Sequence, residues 1–142
     1  MKAVFYSLMV ILLLSSATCR KPPRGPQLED RLLGEWKYIG KSGGYAGKHE
    51  KADPKLNHIL QFKNGFRYQQ KINDQVSEQG SYELYKAKSI YSGKEDLAIR
   101  FNPTSSQPDK NSVISLRNDT LIIADNVYDG FKMEYISLKQ HL

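Results

Sequence analysis

Apolar and polar positions alternate with a period of two along most of this chain. Trp36 and Tyr38 flank Lys37, Leu60 and Phe62 flank Gln61, and Phe66, Tyr68 and Ile72 interleave with Arg67, Gln69 and Lys71. The same rhythm returns in Tyr82 and Leu84, in Leu97, Ile99 and Phe101, in Ile114 and Leu116, in Leu121 and Ile123, and in Phe131, Met133 and Tyr135. Successive side chains of a strand point to opposite faces, so the pattern predicts a series of strands with one buried face each. Residues that tolerate positive φ punctuate the runs: Asn64-Gly65, Asn73-Asp74 and Asn118-Asp119 mark hairpins, and Asp129-Gly130 turns the chain into the last strand. Longer connections are expected at Gly43 to Lys55 and at Asn102 to Asn111, where turn residues abound and large apolar ones are scarce. Ahead of the first strand, Leu28, Leu32 and Leu33 have helical spacing, and Gly34 limits the helix to two turns at most.

About eight or nine short strands in consecutive hairpin order predict an all-β domain over residues 28–142. The leading architecture is an up-and-down antiparallel barrel of about eight strands after a short helical turn, because closure removes the unpaired sheet edges. A two-sheet β-sandwich is the alternative.

The N-terminus has a different texture. Lys2, the apolar run Ala3 to Leu14 and the small residues Ser15 to Thr18 form the pattern of an export signal over residues 1–18, and the run is too short to span a bilayer. Cys19, the only cysteine, follows directly. Ser16-Ala17-Thr18-Cys19 resembles a bacterial lipobox, which implies acylation of the Cys19 thiol and a lipid-anchored protein of the cell envelope, with the outer membrane the leading expectation. Ordinary cleavage to a soluble periplasmic or secreted form is the alternative. Residues 19–27 would then be anchor and linker, since Pro22, Pro23 and Pro26 favour an extended spacer.

An exported domain with one cysteine has no internal disulfide to lean on, so apolar burial and backbone pairing must hold it. The formal net charge of +6 is spread among separate lysines and arginines, which reads as a solvated surface and not as a nucleic-acid site. Catalytic chemistry is not expected either. His49, His58 and His141 share no metal-pair or charge-relay spacing, and His49, Glu50 and Asp53 read as a polar loop. Asp125 to Gly130 reads as a turn, and the glycines Gly43, Gly44 and Gly47 lack the Lys-Ser/Thr pair of a phosphate loop. No metal or cofactor is expected. Thr120, within Asn118-Asp119-Thr120, is a candidate glycosylation position, with a simple hairpin turn the leading reading.

Gly34-Glu35-Trp36, placed after a short helical segment and before nothing but meandering strands, resembles the Gly-x-Trp opening of the lipocalin and fatty-acid-binding-protein superfamily. Residues 28–138 as a whole look like the small lipocalin-like domains of bacterial lipoproteins. The resemblance implies that Trp36 closes one end of the barrel, and it leaves Lys139 as the counterpart of the arginine those barrels place near their end. Residues of one parity, Tyr38, Phe62, Phe66, Tyr68, Tyr82, Phe101, Phe131, Met133 and Tyr135, are the candidate lining for a small apolar or amphipathic ligand. Eight strands also permit an interior filled by side chains. In that alternative the protein serves as an accessory or interaction subunit of an envelope complex.

Overall fold

A computed structural model describes residues 28–103 and 111–139. The export segment, Cys19 and the proline-rich stretch lie outside the described residues. The chain divides into two units, 1–31 and 32–142. Only Leu28 to Arg31 of the first unit are described, and they open a five-residue helix, α1 (Leu28–Leu32), with Glu29 and Asp30 in its first turn and Arg31 in its last. That charge order complements the helix dipole.

Nine strands follow: β1 (Gly34–Gly43), β2 (Lys48–Lys51), β3 (His58–Lys63), β4 (Arg67–Ile72), β5 (Gln75–Lys88), β6 (Glu95–Phe101), β7 (Ser112–Arg117), β8 (Thr120–Asp125) and β9 (Phe131–Ser137). Each neighbouring pair in the sheet is antiparallel, and β9 returns to pair with β1 from Trp36↔Ser137 to Gly43↔Phe131. The sheet is therefore a closed eight-stranded up-and-down barrel with β2 as an additional strand, and the sandwich alternative is excluded by the β1–β9 ladder. On its other side β1 changes partner midway: Gly34 to Lys37 pair with β3, and Gly40 to Gly43 pair with β2.

The expected hairpins form, with physical refinements. Asn73 and Asp74 both take positive φ, as a tight two-residue hairpin requires, and Asn118 and Asp129 do so in their turns. The Asn64-Gly65 turn is one residue longer than expected. Lys63 pairs with Arg67, so three residues make the loop, and the last of them, Phe66, sits at φ 55. Gly65 before it is left-handed too, at φ 73, and the longer loop removes Phe66 from the strand parity that its apolar character suggested. Within the expected connection from Gly43 to Lys55, β2 was hidden because Lys48-His49-Glu50-Lys51 are all exposed and polar. Likewise β5 begins at Gln75, well before the apolar alternation at Tyr82, since Gln75 to Gln79 are exposed.

The inward faces bury Trp36, Leu60, Phe62, Tyr68, Tyr82, Ile99, Ile114, Leu121, Ile123 and Tyr135. In an up-and-down barrel the start of one strand lies beside the end of the next. Trp36 near the start of β1, Phe62 near the end of β3, Tyr68 at the start of β4 and Leu121 at the start of β8 thus belong to one end. That end is densely filled: the rings of Phe62 and Tyr82 meet edge to face at 5.0 Å, and Tyr68 and Phe101 at 4.6 Å. Trp36 is 2% exposed, and its Nε1 donates to the Leu32 carbonyl at 2.7 Å, which gives the indole both apolar burial and a partner for its one polar atom. Lys139 lays its Cγ to Cε stem over Gly34, where an added Cβ would stand 2.6 Å from Lys139 Cε. Gly34 itself has φ +122, a conformation that side-chain-bearing residues rarely adopt.

Replacing Trp36 by alanine removes the largest plug of the filled end and orphans the Leu32 carbonyl. Trp36→Ala is expected to lower the unfolding free energy by about 3–5 kcal/mol, read from the midpoint of a urea titration at unchanged slope.

Candidate functional site

A cavity of about 530 Å³ opens inside the other half of the barrel. Tyr38, Leu60, Phe101, Ile123, Met133 and Tyr135 form its apolar and aromatic wall, and Lys41, His58, Gln70, Glu78, Asn102, Ser112 and Asp125 its polar part. The polar residues occupy equivalent places along the chain. Lys41 lies near the end of β1, His58 opens β3, Gln70 is near the end of β4, Glu78 is early in β5, Asn102 follows β6, Ser112 opens β7 and Asp125 ends β8. Alternating directions bring these positions to a common end of the barrel, opposite Trp36.

Four of these side chains and Tyr68 join into one hydrogen-bonded chain across β3, β4, β5 and the residue that follows β6. Asn102 Nδ2 donates to Tyr68 Oη at 2.9 Å, and the Tyr68 hydroxyl donates to Glu78 Oε1. Gln70 Nε2 donates to Glu78 Oε2 at 3.3 Å, and the Gln70 carbonyl, which can only accept, takes the proton of His58 Nε2 at 3.1 Å. His58 in turn packs its ring 5.3 Å from that of Tyr38, whose other neighbour is Tyr135 at 5.5 Å. One glycine makes the network possible. A Cβ at Gly80 would run into Asn102 Oδ1 and stand 3.1 Å from Tyr68 Cε1, so only a bare backbone leaves Asn102 room to reach Tyr68 while accepting from Ser81 N at 3.3 Å.

Burial, and next the Glu78 carboxylate that accepts its proton, push the Tyr68 phenol well above the ordinary tyrosine range. Burial, with the neighbouring Tyr38 second, does the same to Tyr135. Tyr38 is raised by burial, with Lys41 working in the opposite direction and Glu50 adding to the rise. These phenols stay neutral, as hydrogen-bonding groups and not as anions.

The cavity wall holds Tyr38, Phe101, Met133 and Tyr135 from the expected lining. Phe62, Tyr68 and Tyr82 also face inward, but Phe62 and Tyr82 belong to the filled end, and Tyr68 reaches the site through its hydroxyl. Two expectations are corrected. Phe66 is 47% exposed because the hairpin loop takes it out of the strand, leaving one face on Tyr82 at 5.6 Å. Phe131 has inward parity but is the first residue of β9, so it stands at the rim, 40% exposed, under the Lys41 ammonium at 5.0 Å. Gly34 and Trp36 lie at the far end from the cavity, and Thr120 pairs with Arg117 beside the β7–β8 turn. Asp125 to Gly130 form a turn in which Asp125 Oδ2 accepts from Phe131 N at 3.2 Å. Among the described residues no cluster of three or more His, Cys, Asp or Glu side chains could hold a metal ion.

Several polar lining residues escaped the sequence reading. Lys41 is turned inward by a β-bulge: the register with β9 shifts between Tyr38 and Gly40, so Ile39 is the extra residue and Lys41, not Gly40, faces Met133. Gln70 and Glu78 did carry a signal, since a polar residue on inward parity beside Leu60 and Tyr68 breaks the rule for a filled core. No family model, curated protein or solved structure matches this chain.

Two outcomes follow from this geometry. Gly80→Ala displaces Asn102 and is expected to destabilise the fold by about 1–3 kcal/mol, and a cycle with Asn102→Ala should show coupling between the two positions, because the clash vanishes when the amide is absent. The second concerns alkali. A folded-state pKa raised above the unfolded value of 10.0 means that Tyr135 contributes stability in full below pH 10, lost as the pH climbs through the folded value. Denaturant midpoints should therefore fall above pH 10, and less steeply in Tyr135→Phe.

Proposed function

We propose that this chain is an exported protein, anchored to the cell envelope through acylated Cys19, whose lipocalin-like barrel holds one small amphipathic molecule. The observation that carries the reading is the cavity: about 530 Å³, walled by aromatic and aliphatic side chains, with polar groups gathered at one end. Ligand sites of globular proteins have this size and this division of labour, apolar wall for affinity and a few polar atoms for orientation. A solid core would have been reached easily with eight strands and this many aromatic residues. Instead the rings of Phe62 and Tyr82 pack at the Trp36 end, and the aromatic wall of the other half leaves its centre open. The accessory-subunit alternative rests on a filled barrel, and the open half counts against that version.

The polar groups are largely committed to one another: His58 Nε2 bonds Gln70, and the Glu78 oxygens accept from Tyr68 and Gln70. Binding, with the ligand held and released unchanged, is the activity these groups support.

Native mass spectrometry of the protein purified from its host tests both halves of the reading. The expected spectrum is a mature chain starting at acylated Cys19 that carries one additional small molecule, lost on unfolding. A chain recovered bare under all gentle conditions would remove the ligand, and a chain without acylation would remove the anchor.

A further inference from the structure

Charge inside the cavity is distributed unevenly. Its lining contains one lysine and two carboxylates, but the lysine is already neutralised: Lys41 Nζ lies 3.1 Å from Glu50 Oε2 and 5.0 Å above the Phe131 ring. Glu78 and Asp125 have no ion-pair partner among the described residues. Glu78 accepts only from the neutral Tyr68 hydroxyl and Gln70 amide, and Asp125 Oδ2 only from the Phe131 backbone. In a chain with a formal net charge of +6, this cavity thus holds two carboxylates without an ion-pair partner among the described residues.

An independent feature of the wall points the same way. Tyr135 is 4% exposed, yet the only partner of its hydroxyl is the Met133 thioether at 3.9 Å, a weak acceptor. Its oxygen lone pairs are unspent inside the cavity, where a buried polar atom ordinarily finds a stronger partner. Ser112 stands directly across from Asp125 in the β7–β8 ladder, so its hydroxyl shares that carboxylate's face. The carboxylates and the Tyr135 oxygen are therefore available as acceptors, the Ser112 and Tyr38 hydroxyls can accept as well as donate, and the aromatic faces of Tyr38, Tyr135 and Phe101 attract cations further.

We infer that the ligand is an organic amine, protonated at neutral pH, with an aromatic or branched apolar body. Its ammonium group donates to Asp125, with Ser112 and the tyrosine hydroxyls as further acceptors, and is drawn by the charge of Glu78. Its body lies against Leu60, Phe101, Ile123 and Met133. A carboxylate ligand finds no free cation in the cavity and meets two like charges. The inference rests on the ligand-binding reading above and specifies the chemistry of that same site.

Titration calorimetry of the purified full-length protein with two probes of equal ring and chain, tryptamine and indole-3-propionate, decides it. Tryptamine is expected to bind at least about tenfold more tightly. Asp125→Asn and Glu78→Gln, which preserve size and keep an acceptor oxygen, should each reduce that preference about fivefold. Lys41→Met should enlarge it. Equal or tighter binding of the propionate, or a preference indifferent to both carboxylate substitutions, overturns the amine inference while leaving a ligand-binding barrel. Failure of both probes to bind overturns it together with the ligand reading on which it rests.

Discussion

Everything inside this protein depends on β9 finding β1. Until that ladder forms, the strands are a curved ribbon whose apolar face is open to water and whose two edges are unpaired. Once it forms, the same ribbon has an inside, and the alternation of side chains becomes a division between lumen and solvent. The pairing from Trp36 to Gly43 along nearly the whole of β1 fixes which residues share a level in the lumen. A slip by one residue would exchange the two faces, exposing Tyr135 and burying Glu134 and Ile136, so the buried face itself enforces the register.

The lumen is divided between two kinds of cohesion. At the Trp36 end the rings of Phe62 and Tyr82 pack by shape and dispersion, and Tyr68 and Phe101 pack on each other between that end and the cavity. Beyond them the bonds are polar and directional, from Asn102 through Tyr68 and Glu78 to Gln70 and His58. Tyr68 belongs to both, with its ring in the packed half and its hydroxyl in the network. Because each link of that chain satisfies the next, polar side chains on the inner face escape the penalty of burial without partners. Four of its links, Asn102, Glu78, Gln70 and His58, line the polar part of the cavity.

Much of the barrel was legible because its signal is local. Period-two alternation survives in Trp36 to Tyr38, Leu60 to Phe62 and Leu121 to Ile123, and Asn73-Asp74 encodes its own hairpin. The invisible parts are those decided by neighbours. Nothing local in Lys48-His49-Glu50-Lys51 announces β2, which exists because β1 offers it an edge. Phe66 looks like a strand residue until loop length is counted against the ladder with β4. Lys41 reads as solvent-facing until a one-residue bulge reverses it. Of the cavity, sequence parity found the aromatic wall in Tyr38, Phe101, Met133 and Tyr135, but the polar half is assembled from single residues on six strands and from Asn102 after β6, which only the closed barrel brings together.

The extra residue at Ile39 carries a consequence for the charge of the lumen. Everything beyond it on β1 owes its orientation to that irregularity: were the ladder to run on without a bulge, with Ile39 opposite Glu134 and Gly40 opposite Met133, Gly40 and Ser42 would take the inner positions and the lysine the outside, with no amino acid replaced. The electrostatic character of this lumen is thus set by where a strand takes up an unpaired residue as well as by which residues it contains.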